Sequence, residues 1–108
     1  MSTEVIYDGN EYRELLPGIL MRTLSVGSKT HMVEFRLGKG RAIPSHTHPH
    51  EQTGYLVSGT LALTVAGDKT VYNPGGSWVL ASGVEHSAEV VEDAVIVEVF
   101  SPIREDYL

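Results

Sequence analysis

The feature that most constrains this chain is how short its apolar runs are. Glycine or proline closes each one after a few residues, and within each the residues alternate. In THMVEFRL, His31, Val33, Phe35 and Leu37 fall on one face and Met32, Glu34 and Arg36 on the other, the period expected of a half-buried strand. TGYLVSG and TLALTVAG read as two strands joined by a tight hairpin at Ser58-Gly59. KTVYNPGG reads as a short strand entering a turn. SWVLA, SAEVV and AVIVEVF read as further strands, with Glu92-Asp93 turning between the last two. Helical periodicity is confined to NEYRELL, residues 10 to 16, a helical turn ended by Pro17-Gly18. Eight or more short strands with no crossover helices predict an all-β fold, an antiparallel sandwich or barrel. The 108 residues carry no repeat, linker or low-complexity segment, so one domain spanning 1-108 is expected.

Composition excludes several functions. The formal net charge is -6, and the eight Lys and Arg are scattered singly. A nucleic-acid binder needs a basic stripe to displace counterions, so no nucleic-acid partner is expected. No apolar run approaches a bilayer span, and MSTEVIYDGNEYRE is too polar for a signal peptide, so no membrane partner and a cytoplasmic location are expected. There is no cysteine, which rules out disulfides and thiolate metal sites.

Three of the five histidines crowd into GRAIPSHTHPHEQTGYLVSG, residues 40 to 59. His46 and His48 are one residue apart. On a strand such residues share a face, about 7 Å apart at Cα, and can converge on one metal ion. Gln52 has the same parity and offers an amide oxygen. His86 lies far along the chain, but a barrel can bring it opposite. Three imidazoles and one amide form a plausible ligand set, and imidazole suits Zn, Cu, Fe and Ni. The competing reading is of surface or satisfied core histidines. The flanking glycines bear on the choice. Gly40, His46, His48, Gln52 and Gly59 give G-x5-H-x-H-x3-(E/Q)-x6-G, and Gly75, Ala81, Gly83 and His86 give G-x5-A-x-G-x2-H.

These two motifs resemble those of the cupins, small jelly-roll β-barrels. The first fits throughout, with Gln52 where many members have Glu, and the second fits except for Ala81 in place of Pro. The resemblance implies a single-domain cupin with its barrel core at about 30-100. It also implies one divalent transition metal ion (Ni, Zn, Fe or Mn) held by His46, His48, Gln52 and His86. An amide in place of a carboxylate leaves a divalent site formally near +2, suited to Lewis-acid work and to an anionic ligand. His50 and Glu51 fall outside the ligand spacing, and His50 is expected at the rim. His31, beside Val33 and Phe35, is expected to be structural.

The last strand carries Glu98 in parity with Ile96 and Phe100. A carboxylate among valines is costly unless paired or catalytic. The alternative is an outward-facing edge residue in a salt bridge. Together LLPGILMRTLS, HTHPHEQ and EVFSPIREDYL resemble the small cupins of pectin and alginate breakdown, which linearise unsaturated monouronates. That resemblance spans nearly the whole chain. It implies an active-site set at spacing D-x-F-x3-R, occupied here by Glu98, Phe100 and Arg104. Glu98 is one methylene longer than the usual Asp. By this resemblance Glu98 and Arg104 are catalytic, and Phe100 and Arg104 bind a small-molecule carboxylate or sugar-acid substrate. Arg104 has a surface alternative, pairing with Glu105 or Asp106, and Phe100 a core one. Trp78 and Tyr55 are expected in the core, and Tyr107 against the barrel or a second subunit. A homodimer is expected from the resemblance. Two other functions suit the same metal motif: a cupin dioxygenase and a non-catalytic small-ligand-binding cupin.

Overall fold

Two strands, each of 15 or more residues, organise the fold: β6 (Glu51–Val65) and β9 (His86–Ser101). The structure, a computed structural model, describes residues 5, 6 and 12 to 108. Around the long pair stand β1 (Val5–Ile6), β2 (Arg13–Leu16), β3 (Ile19–Val26), β4 (His31–Leu37), β5 (Ala42–His46), β7 (Asp68–Tyr72) and β8 (Ser77–Leu80). All pairings are antiparallel. One short 3-10 turn, Glu105–Tyr107, ends the chain.

The register divides each long strand in two. The first half of β6 pairs with β8 and with the second half of β9, which continues to β4 and β3. The second half of β6 pairs with β7 and with the first half of β9, which also pairs with β5. Two sheets thus share two bent strands, a jelly-roll arrangement. Alternate residues turn inward and form one core, including Ile19, Val33, Phe35, Leu56, Leu61 and Ile96. Burial of such side chains contributes about 1.5–3 kcal/mol each.

Three sequence expectations need correction. Ser58-Gly59 is not a hairpin turn. It lies inside β6, where the register shifts between Leu56 and Leu61. Gly59 has φ of 88°, and a Cβ there would come 2.1 Å from the Asp93 carbonyl oxygen. Bulges bend strands and leave residues unpaired, so the turn chemistry marks a bend between sheets. Glu92-Asp93 is likewise not a turn, because β9 runs through it. The helical turn is also absent: residues 10 and 11 lie outside the described residues, and Arg13–Leu16 form an edge strand on β3. So short a segment cannot repay helix nucleation, whereas Pro17 and Gly18, the latter at φ 76°, turn it back onto β3.

The alternation expected for β4 holds. His31, Val33, Phe35 and Leu37 are buried, and Met32 and Arg36 are exposed. Glu34 is buried on the outer face beneath Arg22, Arg36 and Tyr12. Among the described residues no helix is long and apolar enough to cross a membrane.

Candidate metal centre and pocket

β5 ends at His46, which the register places opposite His86, the first residue of β9. His48 lies two residues on, in a loop pinned at both sides. Its carbonyl accepts the Gly83 N–H at 2.9 Å, and the Pro49 carbonyl accepts the Ser82 hydroxyl at 2.5 Å. The three rings converge, with centroids 4.2 Å apart for His46–His86, 4.9 Å for His48–His86 and 5.6 Å for His46–His48. One nitrogen from each lies within 4.8 Å of the others.

Backbone carbonyls set the tautomers. Nδ1 of His46 meets Pro44 O at 2.8 Å, Nδ1 of His48 meets His50 O at 3.0 Å, and Nδ1 of His86 meets Val84 O at 2.9 Å. A carbonyl only accepts, so each Nδ1 donates and each neutral ring keeps a lone pair on Nε2. Burial, with the Arg104 charge and a neighbouring imidazole, holds His48 and His86 below the ordinary imidazole pKa. Nε2 of His48 is buried with no hydrogen-bond partner. Neutral imidazoles oriented by carbonyls, one with an orphaned nitrogen, suit a divalent transition metal.

Gln52 and Glu98 meet below the trio. Gln52 pairs with Phe100 across the strands, and Gly54 with Glu98. Glu98 is only 6% exposed, and it accepts hydrogen bonds from Gln52 Nε2 and, at 3.2 Å, from Trp78 Nε1. The bond to Glu98 commits the nitrogen end of the Gln52 amide, leaving Oε1 as the end that can ligate. Burial pushes the Glu98 carboxyl up to about 7, against the opposing pull of Gln52, Trp78 and the Arg104 charge. The outward salt-bridged reading of Glu98 is therefore incorrect. Its parity with Ile96 and Phe100 puts it on the inner face, and Gly54 leaves room for the indole. A Cβ on Gly54 would lie 2.1 Å from Trp78 Nε1.

Phe100 is buried, edge-on to His48 at 6.0 Å and to Tyr107 at 5.7 Å. The Arg104 guanidinium stacks over Tyr107 at 3.9 Å and Phe100 at 5.1 Å. It forks onto Asp106 through Nε at 3.2 Å and Nη2 at 2.7 Å, yet its own side chain is only 12% exposed. Its backbone N–H donates to His31 Nδ1 at 3.3 Å. The other His31 nitrogen then carries the proton and donates to Thr23 Oγ1 at 2.9 Å, and that hydroxyl donates to Tyr107 O at 3.3 Å. His31 is structural, as expected, and it anchors the tail that carries Arg104. Burial and the Arg104 charge lower its pKa, consistent with this neutral role. A cavity of about 50 Å³ is lined by His46, Gln52, His86, Glu98, Phe100 and Arg104, among others.

The structure thus brings together all seven residues singled out from the sequence. Sequence reasoning missed Trp78 as a donor to Glu98, although it did place the ring in the core. The available signal was parity: Trp78 faces Gly54, the one residue of that inner row without a side chain. Tyr55, expected in the core, is 50% exposed because Gly54 and Leu56 take the inner face. Tyr107 packs on the barrel through Phe35 and Phe100.

The model of the cupin domain matches residues 33–101. The chain is a cupin. It is 27% identical over 105 residues to the pectin degradation protein KdgF of Dickeya dadantii (strain 3937), a match covering 95% of this cupin and 96% of that protein. The solved structure of KdgF from a Halomonas species superposes with a TM-score of 0.87 at 28% identity, covering 92% of each chain. An RmlC-like cupin from Shewanella frigidimarina NCIMB 400 gives a TM-score of 0.90 at 27% identity, covering 99% of this chain and 98% of that one. The likeness to the small cupins of pectin breakdown therefore extends over nearly the full length.

Proposed function

We propose that this cupin is a metal-dependent enzyme that linearises unsaturated monouronates, with His46, His48, Gln52 and His86 as ligands to one divalent transition metal ion. The observation that carries this reading is Glu98, a buried carboxyl poised near neutrality beside the imidazole trio. General acid–base work favours a group with its pKa near the working pH. The likeness to two KdgF proteins, one of them named a pectin degradation protein, supports a sugar-acid substrate.

Ring opening balances without an oxidant. The ring carbon–oxygen bond breaks, the anomeric hydroxyl gives up its proton, and the vinyl carbon gains one as the enol becomes a ketone. Glu98 moves protons in this scheme, taking one from oxygen and supplying carbon. Trp78 and Gln52 hold its carboxyl in place. Arg104 binds the sugar carboxylate; its fork to Asp106 uses Nε and Nη2 and leaves Nη1. Phe100 forms the apolar wall. A divalent ion held by His46, His48, Gln52 and His86 would supply Lewis acidity toward substrate oxygens. For the expected homodimer, Tyr55, Val57 and Val79 on the outer face of β6 and β8 offer exposed apolar surface.

The test is product stereochemistry. Lyase-generated unsaturated galacturonate is incubated in D2O with metal-loaded protein and followed by NMR. Deuterium at one diastereotopic position of the new methylene is expected. Equal labelling of both positions, as in an unassisted reaction, contradicts enzymatic protonation. Oxygen uptake by Fe-loaded protein, with no ring opening, would point to dioxygenase chemistry instead.

A further inference from the structure

Tyr107 lines the cavity with Arg104, Glu98 and Phe100, and the proposed chemistry gives it no task. Its ring is held on three sides. It stands edge-on to Phe35 at 5.9 Å and to Phe100 at 5.7 Å, and the Arg104 guanidinium stacks over it at 3.9 Å. Its backbone is held too. The Tyr107 N–H donates to the Arg104 carbonyl at 2.9 Å, and the Tyr107 carbonyl accepts the Thr23 hydroxyl at 3.3 Å. Arg13 grips either side, donating to the Asp106 carbonyl at 2.6 Å and to the Leu108 carbonyl at 3.4 Å.

The hydroxyl on this fixed ring has no such hold. Among the described residues it makes no regular hydrogen bond. Arg104 is beside it, and a guanidinium only donates, so the phenolic proton has no acceptor. Nor is the hydroxyl sealed in: the polar atoms closed off without a partner are His48 Nε2 and His50 Nδ1. Burial pushes the phenol above its ordinary pKa, so it keeps its proton at neutral pH. A spare O–H donor beside a guanidinium suits a ligand that only accepts, a carboxylate. The cavity of about 50 Å³ has room for a group of that size. Asp106 already occupies the Nε–Nη2 edge of Arg104, so a second donor close by would strengthen the hold on a carboxylate's other oxygen. We propose that Tyr107 is a specificity-determining residue whose hydroxyl donates to the sugar carboxylate alongside Arg104. The pair then selects an acid over a neutral sugar. This inference rests on the uronate reading of the pocket.

The test compares metal-loaded wild type and Tyr107→Phe in calorimetry, with D-galacturonate and its methyl ester as non-reacting probes. Phe keeps the ring against Phe35, Phe100 and Arg104 and removes only the hydroxyl. Tyr107→Phe is expected to bind galacturonate about tenfold more weakly, with affinity for the ester and metal content little changed. Unchanged affinity for galacturonate overturns the inference. An equal loss for acid and ester also overturns it, because the hydroxyl then does not read the carboxylate. Failure of wild type to bind galacturonate defeats the uronate reading instead. Acetate, a carboxylate small enough for the cavity, then judges Tyr107 by thermal unfolding. A larger upward shift in wild type than in Tyr107→Phe supports a carboxylate at the hydroxyl, and equal shifts overturn it. A melting point of unliganded Tyr107→Phe lower by about 5 °C or more places the hydroxyl's partner within the protein and overturns the inference.

Discussion

Glu98 shows how one side chain links fold and chemistry. Its carboxyl is enclosed between two sheets, so its charged form is disfavoured. The sign of the linkage follows. An acid whose folded pKa lies above its unfolded one costs stability as pH rises between the two, and the full penalty stands above the higher value. A shift from 4.5 to about 7 corresponds to about 3 kcal/mol. In chelator-treated protein, Glu98→Gln should raise the melting temperature at pH 8 and leave it unchanged at pH 4, as read by thermal unfolding. The same substitution should abolish turnover in metal-loaded protein. Trp78→Phe keeps the ring and removes the donor to Glu98, so kcat should fall about tenfold or more while metal content holds. Glu98 was legible in the sequence as a costly carboxylate on an apolar strand. Its direction was not, because parity names a residue's neighbours on a face without saying which face is inner.

At the scale of the element, the lesson lies in β6 and β9. Turn residues at Ser58-Gly59 and Glu92-Asp93 suggested four short strands, and the chain makes two long bent ones. Glycine at positive φ serves a hairpin or a bulge equally well, and only the partner strand distinguishes them. At Gly59 the partner is the Asp93 carbonyl. Gly59→Ala should therefore destabilise by about 2 kcal/mol or more, measured by denaturant unfolding, whereas a hairpin-tip glycine facing solvent would tolerate Ala at lower cost. The β3–β4 ladder carries another test. Burial pushes the Glu34 carboxyl up, but hydrogen bonds from Tyr12 and Arg22 and the charges of Arg22 and Arg36 outweigh it and hold the pKa low. A depressed acid contributes stability above its unfolded pKa and loses it as pH falls through the folded one. Glu34→Gln should lower the melting temperature at pH 7 and much less at pH 3.

For the molecule as a whole, the metal motif was far more legible than the strand plan around it. His46, His48 and His86 converge because β5 and β9 meet at their ends, a pairing of residues 40 positions apart in sequence that the histidine spacing alone does not reveal. The motif made it readable through resemblance. The Arg104–Asp106 pairing, two residues apart, was readable in the sequence, but the His31–Thr23–Tyr107 chain was not, since it joins residues whose proximity depends on the completed barrel. Together they strap the tail over the pocket and set Arg104 beside Phe100. The measurement that tests the central claim most directly is the rate at which unsaturated galacturonate loses its ring double-bond ultraviolet absorbance. It is read with metal-loaded protein, with the same protein after chelation, and with Glu98→Gln. Acceleration over the spontaneous rate that chelation and Glu98→Gln each remove is the predicted result. Decay at the spontaneous rate in protein shown to hold its metal would contradict the account.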